Sequence, residues 1–200
     1  TLVADIGGHE IRVGDRLIAV ASSEGIGDPR FPRELLAKRA VHQLADLAIL
    51  HPAGTRRARG TTEALLASGA TRHFHLREDE EADWQRMARV IDGAAVGLVL
   101  SGGGARAYAH VGVLRAFRDA RIPVDFIGGA SMGAIIAACS AMGWSLDDAV
   151  PRIRQAFVDR NPLSDYSLPI VGLVRGSRVE RLLEENFGDT LIPDLWRPYF

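Results

Sequence analysis

Two glycine-rich turns constrain this chain more than any other feature. Gly102-Gly103-Gly104-Ala105-Arg106 follows the apolar run Val96–Leu100, and Gly128-Gly129-Ala130-Ser131-Met132-Gly133 follows Val124–Ile127. Each turn is entered from a short strand-like run and opens a helical segment. A chain that repeats this unit reads as α/β.

The first turn is suited to holding negative charge. Successive glycines let backbone N–H groups converge without side-chain obstruction, at a helix start whose dipole favours an anion. Glycine-rich turns of this kind also serve simple close packing. A nucleotide-binding loop fits less well. No Lys-Ser or Lys-Thr closes the run, as a Walker loop requires. A dinucleotide fold wants a glycine at position 107, occupied here by Ala107, and an acidic residue ending the next strand, which Asp125 starts instead.

In the second turn, strand, G-x-S-x-G and helix follow in the order a nucleophile elbow needs. Gly129 and Gly133 permit a sharp turn that leaves the Ser131 hydroxyl exposed, and the Met132 N–H can help hold an oxyanion. The alternative is a serine that merely caps the following helix. That helix is apolar nearly all round from Ala134 to Met142, which predicts burial behind the turn.

The rest of the chain is read around these turns. Arg16–Ala21 and Leu47–Leu50 read as strands, Ser22–Pro32 as a loop and Arg33–Leu44 as a helix. Thr61 or Thr62 caps a short helix ending near Gly69, and Thr71–Arg77 is a strand with His73 and His75 on one face. Two same-face histidines could contribute to a metal site, but no Asp, Glu or Cys is placed to complete it, so no metal or other cofactor is expected. Trp84, Met87, Ala88 and Ile91 fall at i, i+3, i+4 and i+7 and predict the buried stripe of a helix that stops at Asp92-Gly93. A later stripe joins His110, Val113, Leu114 and Phe117. Ser145 with Asp148 predicts a capped helix to about Phe157, and Ser177 with Glu180 another, buried through Val179, Leu182, Leu183 and Phe187 and ending at Gly188. The intervening loop, Asn161–Val174, carries Leu168, Ile170, Val171 and Leu173, read either as core or as a lip for lipid entry. Leu195–Phe200 begins a further strand.

With 47% hydrophobic residues and a net charge of −1, the 200 residues suit a buried core and give no support for nucleic-acid binding. The cluster Arg56, Arg57 and Arg59 reads as a solvated loop. Cys139, the only cysteine, has apolar neighbours and reads as a buried small residue. No apolar run is long enough to span a bilayer, and the N-terminus lacks the layout of a signal peptide. A chain that starts at Thr1 and stops at Phe200 in a strand-like run is expected to be a piece of a longer polypeptide.

Two motifs, Leu98–Arg106 with Ala109-His110-Val111-Gly112-Val113-Leu114 after it and Gly129–Gly133, closely spaced and in this order, resemble those of the patatin-like phospholipase family, especially its neuropathy-target-esterase branch. Leu50-His51-Pro52, Arg59-Gly60-Thr61, His73–Arg77 and Trp84-Gln85-Arg86 are similar to the segment preceding the catalytic domain in that branch. The resemblance implies a three-layer α/β hydrolase-like core, with its N-terminal part at 95–200 and a small α/β segment at 1–94. It implies Ser131 as the nucleophile, and Gly102, Gly103, Gly104, Ala105, Arg106 and Met132 as the oxyanion hole. The serine would pair with a single aspartate from a downstream Asp-Gly-Gly or Asp-Gly-Ala motif beyond this chain. Asp92-Gly93-Ala94 spells the motif on the wrong side of Ser131 and reads as a helix end, while His110 reads as a packing or polar-network residue. Ala107 departs from the family's glycine, with a cost if position 107 needs positive φ and none if it is helical. The implied activity is hydrolysis of phospholipids or lysophospholipids, cytoplasmic and peripheral to a membrane, with regulatory domains in the full-length chain. Transacylation and a catalytically silent regulatory or binding module are the alternatives.

Overall fold

The computed structural model describes residues 2–5, 9–10, 16–26, 44–160 and 176–200. The expected helix over Arg33–Leu44, apart from Leu44 itself, and the Asn161–Val174 loop with its proposed lipid lip lie outside the described residues. The chain divides into two compact units, Thr1–Ala95 with Pro193–Trp196, and Val96–Ile192 with Arg197–Phe200.

The first unit is built on a five-stranded sheet of order β2-β1-β3-β4-β5, comprising β1 (Leu2–Asp5), β2 (His9–Glu10), β3 (Arg16–Ser22), β4 (Leu44–His51) and β5 (Arg72–Arg77). All neighbours are parallel except β1 and β2. Leu17, Ile18, Ala19, Leu47, Ala48, Ile49, Phe74 and Leu76 are buried, the near-continuous apolar runs of strands covered on both faces. Leu44 opens β4, so this strand takes the last residue assigned to the preceding helix. Helix α1 (Thr61–Ser68) is capped by Gly60 at φ 76°, with no side-chain cap. The expected threonine cap fails because Thr61 is already the first helical residue, after Gly60 at the cap position; the Thr61 N–H donates to Asp194 Oδ1 at 3.1 Å instead.

Helix α2 (Glu81–Ile91) corrects a second expectation. Its buried face is Asp83, Arg86 and Val90, while Trp84 stays 41% exposed and donates its Nε1–H to Arg77 O. Polar residues face inward because they find one another. Arg77 grips Asp83 through Nε at 2.7 Å and Nη2 at 3.1 Å, and Arg86 Nη1 donates to Asp83 Oδ1 and Trp196 O, both at 3.0 Å. The Arg77 guanidinium also lies 4.4 Å from the Trp196 ring centre.

Beside this cluster sits a chain of histidines. His75 Nε2 and His73 Nε2 face Pro193 O at 2.8 and 2.9 Å. A carbonyl can only accept, so both nitrogens carry protons, and His75 Nδ1 therefore accepts from His51 Nε2–H at 2.9 Å. Burial pushes His75 down to about 3 and His51 to about 4, with Arg77 opposing and Asp83 and Asp194 favouring a charge on His51. Folded, both are neutral near pH 6, where histidines of the unfolded chain take up protons at about 6.5. The unfolded state then binds more protons, so stability falls as pH drops below about 6.5, by up to about 1.4 kcal/mol per pH unit for each histidine. Urea midpoints at pH 7.5, 6 and 5 are expected to decline in that order. A flat series would remove the histidines from the account.

The second unit has parallel strands β6 (Gly97–Leu100) and β7 (Phe126–Gly129) with helices α3 (Ala109–Asp119), α4 (Met132–Ala141), α5 (Leu146–Arg154) and α6 (Ser177–Phe187). The buried Asp125 latches the sheet, exchanging its N–H with Val96 O and accepting Val96 N–H on its carboxylate. The terminal segment is a single parallel bridge, Ile127 to Tyr199, rather than a full strand. Ser145 caps α5 as expected, accepting the Asp148 N–H at 3.1 Å. The predicted Ser177 cap of α6 is instead Gly176 at φ 83°. Of the α6 face predicted as buried, Leu182 is buried, while Val179, Leu183 and Phe187 are half-buried. On α3 only Leu114 of the predicted stripe is fully buried. Val113 remains 38% exposed and Val99 on β6 68%, since among the described residues nothing covers them.

Candidate functional site

Helix α4 is held against β6 and β7 with Gly133, Ile136, Ala137, Cys139 and Ala141 buried. Burial raises the Cys139 thiol to about 12, so it packs as an inert small residue. The turn feeding this helix is pinned by Ala130 N–H to Leu100 O at 3.0 Å and Gly133 N–H to Ala130 O at 3.0 Å.

At its centre, Ser131 adopts φ 52°, ψ −127°. Arg121 is the only other non-glycine residue with positive φ among those described. Such a backbone costs on the order of 1–3 kcal/mol and persists only where its surroundings over-determine it. They do so here. A Cβ on Gly129 would stand 2.5 Å from Leu100 O, and one on Gly133 would strike both Leu100 O and Ser101 O. Gly133→Ala is expected to destabilise this unit by about 1–3 kcal/mol through that overlap, read as a lower melting temperature. An unchanged melt would show that the turn can open.

The strained turn leaves Ser131 exposed at the N-terminus of α4. The Met132 N–H has no hydrogen-bond partner among the described residues. Facing it is the first glycine turn, where a methyl group on Gly102 would come within 3.2 Å of Ser131 Cβ. Gly103 at φ 147° and Gly104 at φ 55° swing the chain into a short 3₁₀ turn, Gly104–Tyr108. Arg106 N–H closes that turn onto Gly103 O at 3.1 Å. The N–H groups of Gly102, Gly103, Gly104 and Ala105 precede this first bond and are unpaired among the described residues. Two helix starts with open N–H groups thus meet at one exposed hydroxyl, an arrangement able to stabilise negative charge growing beside it.

Ala107 is buried within the 3₁₀ turn and is not among the positive-φ residues, so alanine carries no backbone penalty there. Asp92 and Gly93 end α2, with Gly93 at φ 73°. Among the described residues no carboxylate or imidazole hydrogen-bonds the Ser131 hydroxyl, and no group of three His, Cys, Asp or Glu could hold a metal ion. His110 instead faces Ser101 O with Nε2 at 2.8 Å. From the sequence His110 reads as a packing or polar-network residue, and no local signal points to Ser101 O as its partner.

Comparisons with known proteins place the chain in a family. Residues 98–200 match the family model described as patatin-like phospholipase. The chain is 45% identical over 114 residues to an uncharacterised NTE family protein of Mycobacterium tuberculosis, covering 57% of this chain and 20% of that protein. To patatin-like phospholipase domain-containing protein 6 of Mus musculus it is 33% identical over 201 residues, 84% of this chain and 14% of the relative. A lysophospholipase of Candida glabrata is 39% identical over 123 residues, 59% of this chain and 7% of the relative. The chain therefore spans at most a fifth of the length of these relatives. No solved structure matches. With more than half of its residues matched by that family model, and with parallel strands and helices set as such a fold requires, the chain belongs to the patatin-like phospholipase family.

Proposed function

We propose that this chain carries the nucleophile of a serine lipid-ester hydrolase acting on phospholipids or lysophospholipids. The observation that carries the reading is Ser131, exposed and strained at φ 52° at a helix N-terminus, beside the N–H groups of Met132 and of Gly102 to Ala105, which are unpaired among the described residues. Ser131 Oγ attacks the ester carbonyl, and the carbonyl oxygen takes up the electron pair as an oxyanion facing those N–H groups, while Arg106 closes the loop that carries them. The tetrahedral intermediate collapses to an acyl-enzyme with loss of the alcohol, and water then releases the fatty acid. An aspartate outside these 200 residues accepts the serine proton, passes it to the leaving alcohol and later deprotonates water. The relatives' names, a lysophospholipase and patatin-like phospholipases, support the substrate class. The enzyme works in the cytoplasm, peripheral to a membrane, with regulatory domains elsewhere in its chain. No helix among the described residues is long and apolar enough to cross a membrane.

The test is hydrolysis of lysophosphatidylcholine by the full-length polypeptide against its Ser131→Ala variant. Equal rates would leave the nucleophile assignment without support and favour a silent binding module. Adding an acceptor alcohol to the same assay separates hydrolysis from transacylation.

A further inference from the structure

We propose that His110 is a positioning residue that aims the Gly102 N–H at the oxyanion, an inference that rests on the assignment of Ser131 above. His110 sits in the first turn of α3, and its Nε2 lies 2.8 Å from Ser101 O and 3.5 Å from Ser101 Oγ. Ser101 O is an acceptor, so Nε2 carries the proton and donates. That oxygen is also bounded on another side, since it is one of the two atoms a Cβ on Gly133 would strike. The Ser101 carbonyl is therefore fixed between a donor on α3 and the backbone of the elbow.

Its importance lies in the peptide plane. Across a trans peptide the carbonyl of Ser101 and the N–H of Gly102 point in opposite directions in one rigid plane, so fixing the oxygen fixes the hydrogen. Gly102 itself lies against the elbow, where an added Cβ would stand 3.2 Å from Ser131 Cβ and 3.3 Å from Ala130 O, and its N–H is unpaired among the described residues. Without the His110 donor, Gly102 and Gly103 have no side chains to resist rotation of this plane. A donor rotated away no longer meets the charge that grows in the transition state, while ground-state binding is left as it was.

The geometry separates this role from that of a base. A general base at Nε2 would need a lone pair there, and that nitrogen holds a proton directed at Ser101 O. Both the neutral and the cationic ring keep it, so the contact survives protonation of Nδ1.

The experiment uses the full-length polypeptide, with lysophosphatidylcholine as substrate and Ser131→Ala as control. His110→Leu is expected to lower kcat by about 10- to 100-fold with KM within about twofold, the signature of a misaimed group rather than a lost binding contact. His110→Gln, whose terminal amide reaches about as far as Nε2, is expected to return kcat to within roughly threefold of the parent and to leave the pH profile of kcat unchanged. His110→Asn, polar but too short, should behave like leucine and replaces it if the leucine variant does not fold. A kcat for both His110→Leu and His110→Asn equal to the parent would overturn the proposal, as would a glutamine variant as slow as leucine, a loss confined to KM, or a limb of the pH profile that vanishes with glutamine. Turnover that persists in Ser131→Ala identifies failure of the underlying reading instead.

Discussion

Ser131→Ala in the full-length polypeptide should reduce ester hydrolysis by about 10⁴-fold or more, equivalent to roughly 5.5 kcal/mol of lost transition-state stabilisation. Alanine keeps the Cβ and therefore keeps the strain of φ 52°. The substitution removes only the hydroxyl, and the melting temperature should hardly move. Ser131→Gly is the informative partner. It removes hydroxyl and strain together, so it should be as inactive as alanine yet more stable by about 1 kcal/mol. The pair separates the two functions of position 131, attack and backbone geometry. An alanine variant that loses activity only in step with its folded fraction would show the serine to be structural.

The second large effect is expected in the first unit. Asp83 is 1% exposed and receives hydrogen bonds from both Arg77 and Arg86. Burial alone would raise its carboxyl, but the Arg77 hydrogen bonds and the charges of Arg86 and Arg77 outweigh it and hold the group below its usual value. Asp83→Ala leaves two guanidinium groups facing one another without a counter-charge, and should cost about 3–5 kcal/mol. Asp83→Asn keeps the shape and one acceptor and should cost less. Because the carboxyl is depressed, its contribution is present above the unfolded value near 3.9 and is lost as pH falls through the folded one. The difference between parent and Asp83→Ala in urea midpoint should therefore shrink in strong acid. A difference below about 1 kcal/mol at pH 7 would mean that solvent already satisfies the arginines.

What could be read from the sequence was local. The strand, turn and helix order around Ser131, the inward face of α6, the apolar α4 and the glycine ends of α2 and α6 each follow from spacing within about ten residues. The misread features depend on distant partners. Asp83 and Arg86 look like surface charges of an amphipathic helix until Arg77 and Trp196 O are brought beside them. Trp84, the largest residue of the expected stripe, is displaced to the edge because that network occupies the inner face. The threonine and serine caps failed for a related reason. Gly60 and Gly176 enter their helices from positive φ, where no capping side chain exists, and in α1 the missing acceptor is supplied by Asp194. At the candidate site the sequence marked the glycines without revealing which N–H groups stay open. Only the 3₁₀ turn shows Arg106 bonded back to Gly103.

Pro193–Trp196 belongs to the first unit, although 97 residues separate it from Ala95, at which that unit otherwise ends. On a ribosome adding about 5–20 residues per second, roughly 5–20 seconds pass between emergence of the sheet and arrival of the tryptophan that covers its histidines and arginines. For that interval His51, His75 and the Arg77–Asp83 pair are uncovered on a nascent chain. The order of synthesis thus delays completion of the amino-terminal unit until Ser131 and both glycine turns have been made.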